Sequence, residues 1–382
     1  MSVTGESGTM SKLARPAWGA RRGTVSVVLL LLSALIALMG SWGARLAAPA
    51  GRADCYDEQV IAAEVMQAGA AAVRDLRLEL GISIDPEIDP NGTGLIGDEF
   101  TLMTTSVGVL EAKRTSTNPA FAAVMVKYFR EAGLAAGDVV AVGSSGSFPA
   151  LILATLSAAR ALDLEPVMIY SVGASMYGAN IPELTFVPML ARLNELGIIP
   201  YKLEAVSLGG ESDQGGGAIF GDGRPVMEKA AMSAGVPVIR EPSVSASIAA
   251  RHRVFEEAAA RVGRPISCFV NVGGATANYG NTSASLEFPN GLVMRPPVMS
   301  TDPERGLIFE FAAAGVPVIN LLDVRGLAMK NGLPVDPVPL PGIGEGGVYR
   351  ARQYSRVVAG LALIASLAPL GFGLQNARKR RV

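Results

Sequence analysis

Short apolar runs alternate with longer amphipathic stretches along most of the chain, and this rhythm predicts strands separated by helices. Its clearest unit spans residues 138–160, DVVAVGSSGSFPALILATLSAAR. Residues 139–142 read as a strand, Gly143 ends it, and Ser144-Ser145-Gly146-Ser147 forms a small polar turn. From 149 to 159 apolar residues recur at helical spacing, with proline at the start, where its missing N–H is tolerated. Strands are predicted again over 166–172, 197–206, 236–239, 266–272 and 316–322. Helices are predicted over 58–80, from Asn118-Pro119 to about 132, and over 189–196, 224–234, 243–261 and 304–314. Strands alternating with helices of this length predict an α/β fold, a mostly parallel sheet with helices on both faces.

Two uninterrupted apolar segments break the rhythm. Residues 24–42 and 357–375 each run 19 positions without a charge, about the length a bilayer core requires. Lys12, Arg15, Arg21 and Arg22 precede the first, and Arg378, Lys379, Arg380 and Arg381 follow the second. Cations gather on the cytoplasmic side, so both flanks predict a two-pass cell-membrane protein with cytoplasmic termini and its main domain outside. The expected order is a cytoplasmic basic tail (1–23), a transmembrane helix (24–42), an extracytoplasmic α/β domain (43–333), a linker (334–356), a second transmembrane helix (357–375) and a basic tail (376–382). A cleaved signal peptide, with Ala48-Pro49-Ala50 as its processing site, is the alternative for the first segment. A buried core helix is the alternative for the second, which contains Pro369, Gly371 and Gly373.

Charge sharpens this picture once the flanks are set aside. Residues 45–356 carry 25 Lys+Arg against 33 Asp+Glu, a difference of −8 hidden by the whole-chain value of −1. An acidic body argues against nucleic acid as a partner. An anionic ligand would need a local cationic or N–H-lined site, because the overall field repels it. Cys55 and Cys268 are too few for a disulfide scaffold, and both a single bridge and free thiols remain open. The glycine- and acid-rich loop 81–99 places Glu87, Asp89, Asn91, Gly92 and Asp98 near calcium-loop spacing, but Pro90 intrudes and an acidic turn is the better reading.

Four polar or glycine-rich turns follow apolar runs, at 144–147, 173–175, 209–217 and 273–276. In open α/β sheets ligands bind beyond the carboxyl ends of strands, so these turns are the candidate site. None is a Walker A loop or a dinucleotide fingerprint, and no cofactor is expected. One histidine and two distant cysteines make no zinc set, and no metal is expected. Gly143-Ser144-Ser145-Gly146-Ser147 has serine where the nucleophile elbow G-x-S-x-G needs its second glycine. The single histidine, His252, sits between Arg251 and Arg253 and reads as a solvated helix residue rather than a triad base. A lysine base is chemically adequate, yet none lies near these serines in sequence. Glu111-Ala112-Lys113-Arg114-Thr115 holds adjacent cations, read either as a solvated turn or as an anion-binding element.

Several strings resemble the poly-γ-glutamate system protein family: TGLIG at 93–97, LEAKRTSTNP at 110–119, VGSSGSFP at 142–149, and SVGAS at 171–175 followed by Gly178-Ala179-Asn180. The family pattern is more polar after that last triplet than Ile181-Pro182-Glu183 here, which leaves the role of that turn open. The resemblance implies an accessory membrane protein in the synthesis or export of poly-γ-glutamate, an anionic capsule or secreted polymer. Other membrane subunits of that system would be its partners, and no catalytic residue carries over. On this reading Ser144, Ser145, Gly146 and Ser147 bind a γ-glutamyl carboxylate, with Lys113 and Arg114 supplying positive charge. Two other readings stand beside it. One is a serine-dependent hydrolase or γ-glutamyl transferase using Ser145 or Ser147. The other is a scaffold holding partner subunits through its two apolar segments.

Overall fold

The computed structural model describes residues 25–47, 51–351 and 354–379. The tail at 1–23, the processing site at 48–50 and residues 380–382 lie outside the described residues. Two compact units divide the chain, Met1–Gly51 with Arg352–Val382, and Arg52–Ala351.

The smaller unit contains α1 (Val27–Leu46) and α13 (Arg356–Lys379). Mean hydropathy reaches 2.2 and 2.1 over Val27–Leu46 and Arg356–Asn376, and few of these residues are buried. Both helices are therefore long and apolar enough to cross a membrane, with most of their apolar surface facing outward. Small residues let them pack closely: a Cβ at Gly40 would lie 2.1 Å from that of Ala362. Helix α1 runs four residues past the expected end at 42, and the N–H of Ala47 still donates to Gly43 at 2.9 Å.

In the larger unit the helices are α2 (Tyr56–Glu79), α3 (Leu110–Ser116), α4 (Ala120–Glu131), α5 (Pro149–Ala161), α6 (Phe186–Glu195), α7 (Arg224–Met232) and α8 (Val244–Val262). Two single turns, α9 (Thr276–Tyr279) and α10 (Ser283–Leu286), precede α11 (Leu307–Ala313) and α12 (Val324–Lys330). Nine strands matter here: β1 (Thr104–Ser106), β2 (Val139–Ser145), β3 (Glu165–Ser171), β4 (Ala174–Ser175), β5 (Leu203–Ser207), β6 (Val238–Ile239), β7 (Ile266–Val272), β8 (Gly291–Val293) and β9 (Val318–Leu321).

Seven of these form one sheet in the order β6-β5-β3-β2-β7-β9-β8. Every neighbouring pair is parallel except β9 with β8. The expected mostly parallel α/β architecture is present. Strand β2 is buried throughout, and apolar from Val139 to Val142, because both faces of the sheet are covered. Val140 and Val142 pack into the core shared with α2, α4 and α5, whereas Val139 and Ala141 pack with α8 and α11.

Several elements differ from expectation. Residues 110–116 form a helix rather than a turn, and 174–175 pair with β1 as a short parallel strand. Short elements at 276–279, 283–286, 291–293 and 324–330 carried too little periodicity to be foreseen. The proline-rich stretch expected as a linker belongs, as far as Ala351, to this unit. Val348 and Tyr349 are buried in its core, and Asn91 Nδ2 donates to the carbonyl of Pro337 at 2.9 Å. Cys55 and Cys268 are both free thiols.

Candidate functional site

Strand order locates the site. From β2 the chain builds outward through β3, β5 and β6, then returns to the other side of β2 with β7 and β9. The reversal between β2 and β7 parts the connecting loops on either side, which is where open α/β sheets make room for ligands. A cleft of about 830 Å³ opens there, lined by parts of all four candidate turns: Ser145 and Ser147, Gly173 and Ser175, Gly209–Glu211 with Gly217, and Gly274–Thr276. The segment 105–113, with β1 and the start of α3, forms a further wall, and Asp323–Arg325 another. Sequence spacing alone could not bring these turns together; the parallel register does.

The expected site residues do not share one fate. Ser145 and Ser147 line the cleft. Ser145 is 3% exposed, and its Oγ has no hydrogen-bond partner. Ser147 is engaged, its Oγ accepting from the N–H of Ser175 at 3.1 Å. Ser144 faces away from the cleft-lining side because strand β2 runs through it and successive side chains alternate; its Oγ donates to the carbonyl of Ile169 at 3.3 Å. Gly146 offers no free N–H, since it donates to the carbonyl of Ser171 at 3.0 Å. At Gly146 the turn is therefore a packed corner.

Gly146 matters for close approach. A Cβ there would sit 2.9 Å from both the Ala174 Cβ and the Val172 carbonyl oxygen, and 3.1 Å from the Tyr170 hydroxyl. Because backbone cannot yield as a side chain tip does, Gly146→Ala is expected to destabilise this unit by about 1–3 kcal/mol. A denaturant midpoint unchanged from wild type would contradict that packing role.

The two cations part company. Arg114 does not line the cleft; its guanidinium donates to the carbonyls of Glu87 and Ile88 and lies 3.4 Å from Asp336. It ties loop 85–91 to the segment around 336, so it supplies no charge to the site. Lys113, by contrast, enters the cleft wall with only 2% of its surface exposed. Its Nζ donates to the Ser147 carbonyl, lies 2.7 Å from the Ser175 Oγ, and sits 3.8 Å from the centre of the Phe148 ring. No carboxylate pairs with it among the described residues, and burial pulls its pKa down to about 7.

Reading the sequence missed three features. Arg325, at the mouth, pairs with Glu111 at 3.3 Å and keeps 65% of its side chain exposed. Ser175, in the candidate turn 173–175 but not singled out from sequence, lines the cleft beside Lys113. Arg251, placed by sequence in a charged helical stretch, is fully buried, with Nη2 2.8 Å from both Asp213 oxygens and from the Ser171 Oγ. Its position in α8 among alanines and apolar residues was the available signal. His252 lies on the same helix, stacked on Phe311 at 5.3 Å, and is not part of the cleft. Among the described residues no group of three or more His, Cys, Asp or Glu side chains converges as a metal-ligand set. Compared with protein-family models, curated proteins and solved structures, the chain matches none of them.

Proposed function

We propose that the Arg52–Ala351 unit is a membrane-tethered binding unit whose cleft takes a polar, amide-bearing acyl chain. Poly-γ-glutamate or a γ-glutamyl group is the ligand nominated by the resemblance of residues 93–97, 110–119, 142–149 and 171–175. The accompanying role is that of an accessory protein in synthesis or export of the polymer, with this unit outside the membrane. The observation that carries the binding reading is the Ser145 hydroxyl, buried at the cleft wall beyond the central strands with no partner of its own. A buried, unpaired hydroxyl is unfavourable until something bonds to it, and a ligand amide or carboxylate would do so. Arg325 at the mouth offers an exposed cation to an acidic chain.

The test is titration of the full-length chain in detergent with γ-linked glutamate oligomers, followed by calorimetry. Ser145→Ala is expected to weaken binding by roughly tenfold, the worth of one hydrogen bond. Arg325→Ala is expected to weaken it less, and to flatten its dependence on salt. Equal affinity for wild type and Ser145→Ala, or no binding at all, would overturn this reading.

A further inference from the structure

We infer that Ser175 is a nucleophile and Lys113 its general base, so that the cleft transfers or hydrolyses acyl groups held in amide linkage. The acyl class, amides of the γ-glutamyl kind, rests on the binding reading above; the pair of residues does not.

Geometry comes first. The 2.7 Å separation of Lys113 Nζ and Ser175 Oγ is within reach for proton transfer. Both residues line the same cleft. Lys113 makes no hydrogen bond to the hydroxyls expected from sequence; it touches Ser147 through its carbonyl oxygen. Ser175 is held in place from its backbone, its N–H bonding the Ser147 Oγ and its strand pairing with β1. Backbone at Gly108 passes close by: a Cβ there would stand 3.2 Å from the Ser175 Oγ and 3.3 Å from the Lys113 Cε. Glycine at that position leaves open the space beside the reacting oxygen.

The environment of the amine fits the role of a base. A lysine serves as base only when neutral, and removal from water disfavours its charged form. Glu111, Glu211, Asp323 and Arg325 are the ionisable groups that line the cleft with it, and none is paired with Nζ; Glu111 is taken by Arg325. Burial is the one resolved influence on Lys113, and no carboxylate among the described residues pairs with it to oppose that influence. A neutral amine can donate to the Ser147 carbonyl while accepting the Ser175 hydroxyl proton. This pairing of serine with lysine is an established variant of the nucleophile–base arrangement.

The reaction balances without a cofactor. Ser175 Oγ attacks the amide carbonyl carbon as its proton passes to Lys113 Nζ. The C–N bond breaks, and Lys113 returns that proton to the departing amine. Water, or a second amine, then attacks the Ser175 ester while Lys113 takes its proton. The Ser175 ester oxygen leaves and receives that proton, releasing an acid or a new amide.

A fluorophosphonate probe on the full-length chain in detergent tests the inference directly. Labelling is expected on the peptide containing Ser175, at a rate that rises with pH through about 7 as Lys113 loses its proton. Ser175→Ala should abolish it, and Lys113→Met should slow it by about 100-fold or more. His252→Gln, remote from the cleft, should label at the wild-type rate. Labelling that is absent, maps to another serine, or survives Ser175→Ala overturns the assignment. The wild-type mapping and pH profile stand even if a variant fails to fold. Oligomer titration of the same Ser175→Ala protein separates the two readings. Retained oligomer binding with no wild-type labelling sinks the nucleophile alone, whereas labelling of Ser175 without oligomer binding sinks the substrate class alone.

Discussion

Asp213→Asn is expected to lower the stability of the Arg52–Ala351 unit by about 3–5 kcal/mol, the cost of leaving a buried charge without its partner. Arg251 is wholly buried, and the side chain of Asp213 is 2% exposed. Both carboxylate oxygens lie 2.8 Å from Arg251 Nη2. The Ser207 and Ser247 hydroxyls donate to the carboxylate, and Arg251 Nη1 reaches the Asn278 Oδ1 at 3.2 Å. Asn keeps the shape of Asp and tolerates the left-handed backbone at this position, where φ is +61°. The substitution therefore isolates the charge. A second change, Arg251→Met, should recover part of the loss in the double variant, because neither charge then remains to be compensated. Denaturant unfolding of the four proteins closes the cycle. A single-variant loss below about 1 kcal/mol would show that the pair is not stabilising the loop.

That pair also shapes the site. Asp213 belongs to the glycine-rich loop 209–217, and Arg251 bonds the Ser171 hydroxyl at 2.8 Å. Loop and strand end both line the cleft. The ion pair thus fastens one wall to the sheet from beneath, with α8 as the anchor.

The unfolding free energy of the wild-type chain is expected to rise with pH relative to Lys113→Met, between about pH 7 and pH 10.5. Folded Lys113 gives up its proton near 7, whereas the unfolded side chain holds it up to its ordinary value of 10.5. Between those limits the unfolded state binds more protons, so raising the pH favours the folded state. The slope approaches about 1.4 kcal/mol per pH unit for one group. Below about 7 both states carry the proton, and the difference between the two proteins should level off. All other titrating groups are common to both proteins and cancel in the comparison. A difference independent of pH would place the lysine proton elsewhere than the buried cleft wall.

Much of this architecture was legible along the chain. The run 266–272 emerged with its expected bounds, and the helix expected at 149–159 extends only to Ala161. Continuous apolar strands and one-sided helices are local consequences of a sheet covered on both faces, so their period survives in one dimension. The two apolar segments were equally plain, because 19 uncharged residues in a row need no partner to be recognised.

The site was legible only as a set of turns. Ser144 and Ser145 are chemically alike in sequence, and the side-chain alternation of β2 sent one into the sheet and the other to the cleft. Lys113 and Arg114 looked like a matched cationic pair on a turn. The short helix α3 instead turned one toward Ser175 and the other toward Asp336. Arg251 read only as part of a charged helical stretch, although its neighbours bury it completely.

By itself, then, the sequence determined the alternating α/β class, the two apolar helices and the turns that follow the strands, since each depends on residues close along the chain. Only the tertiary structure decided which polar groups meet. Lys113 and Ser175 are 62 positions apart, and Arg251 and Asp213 are 38 apart. Their proximity follows from parallel strand order and from burial, which changes a lysine from a solvated cation to a desolvated amine.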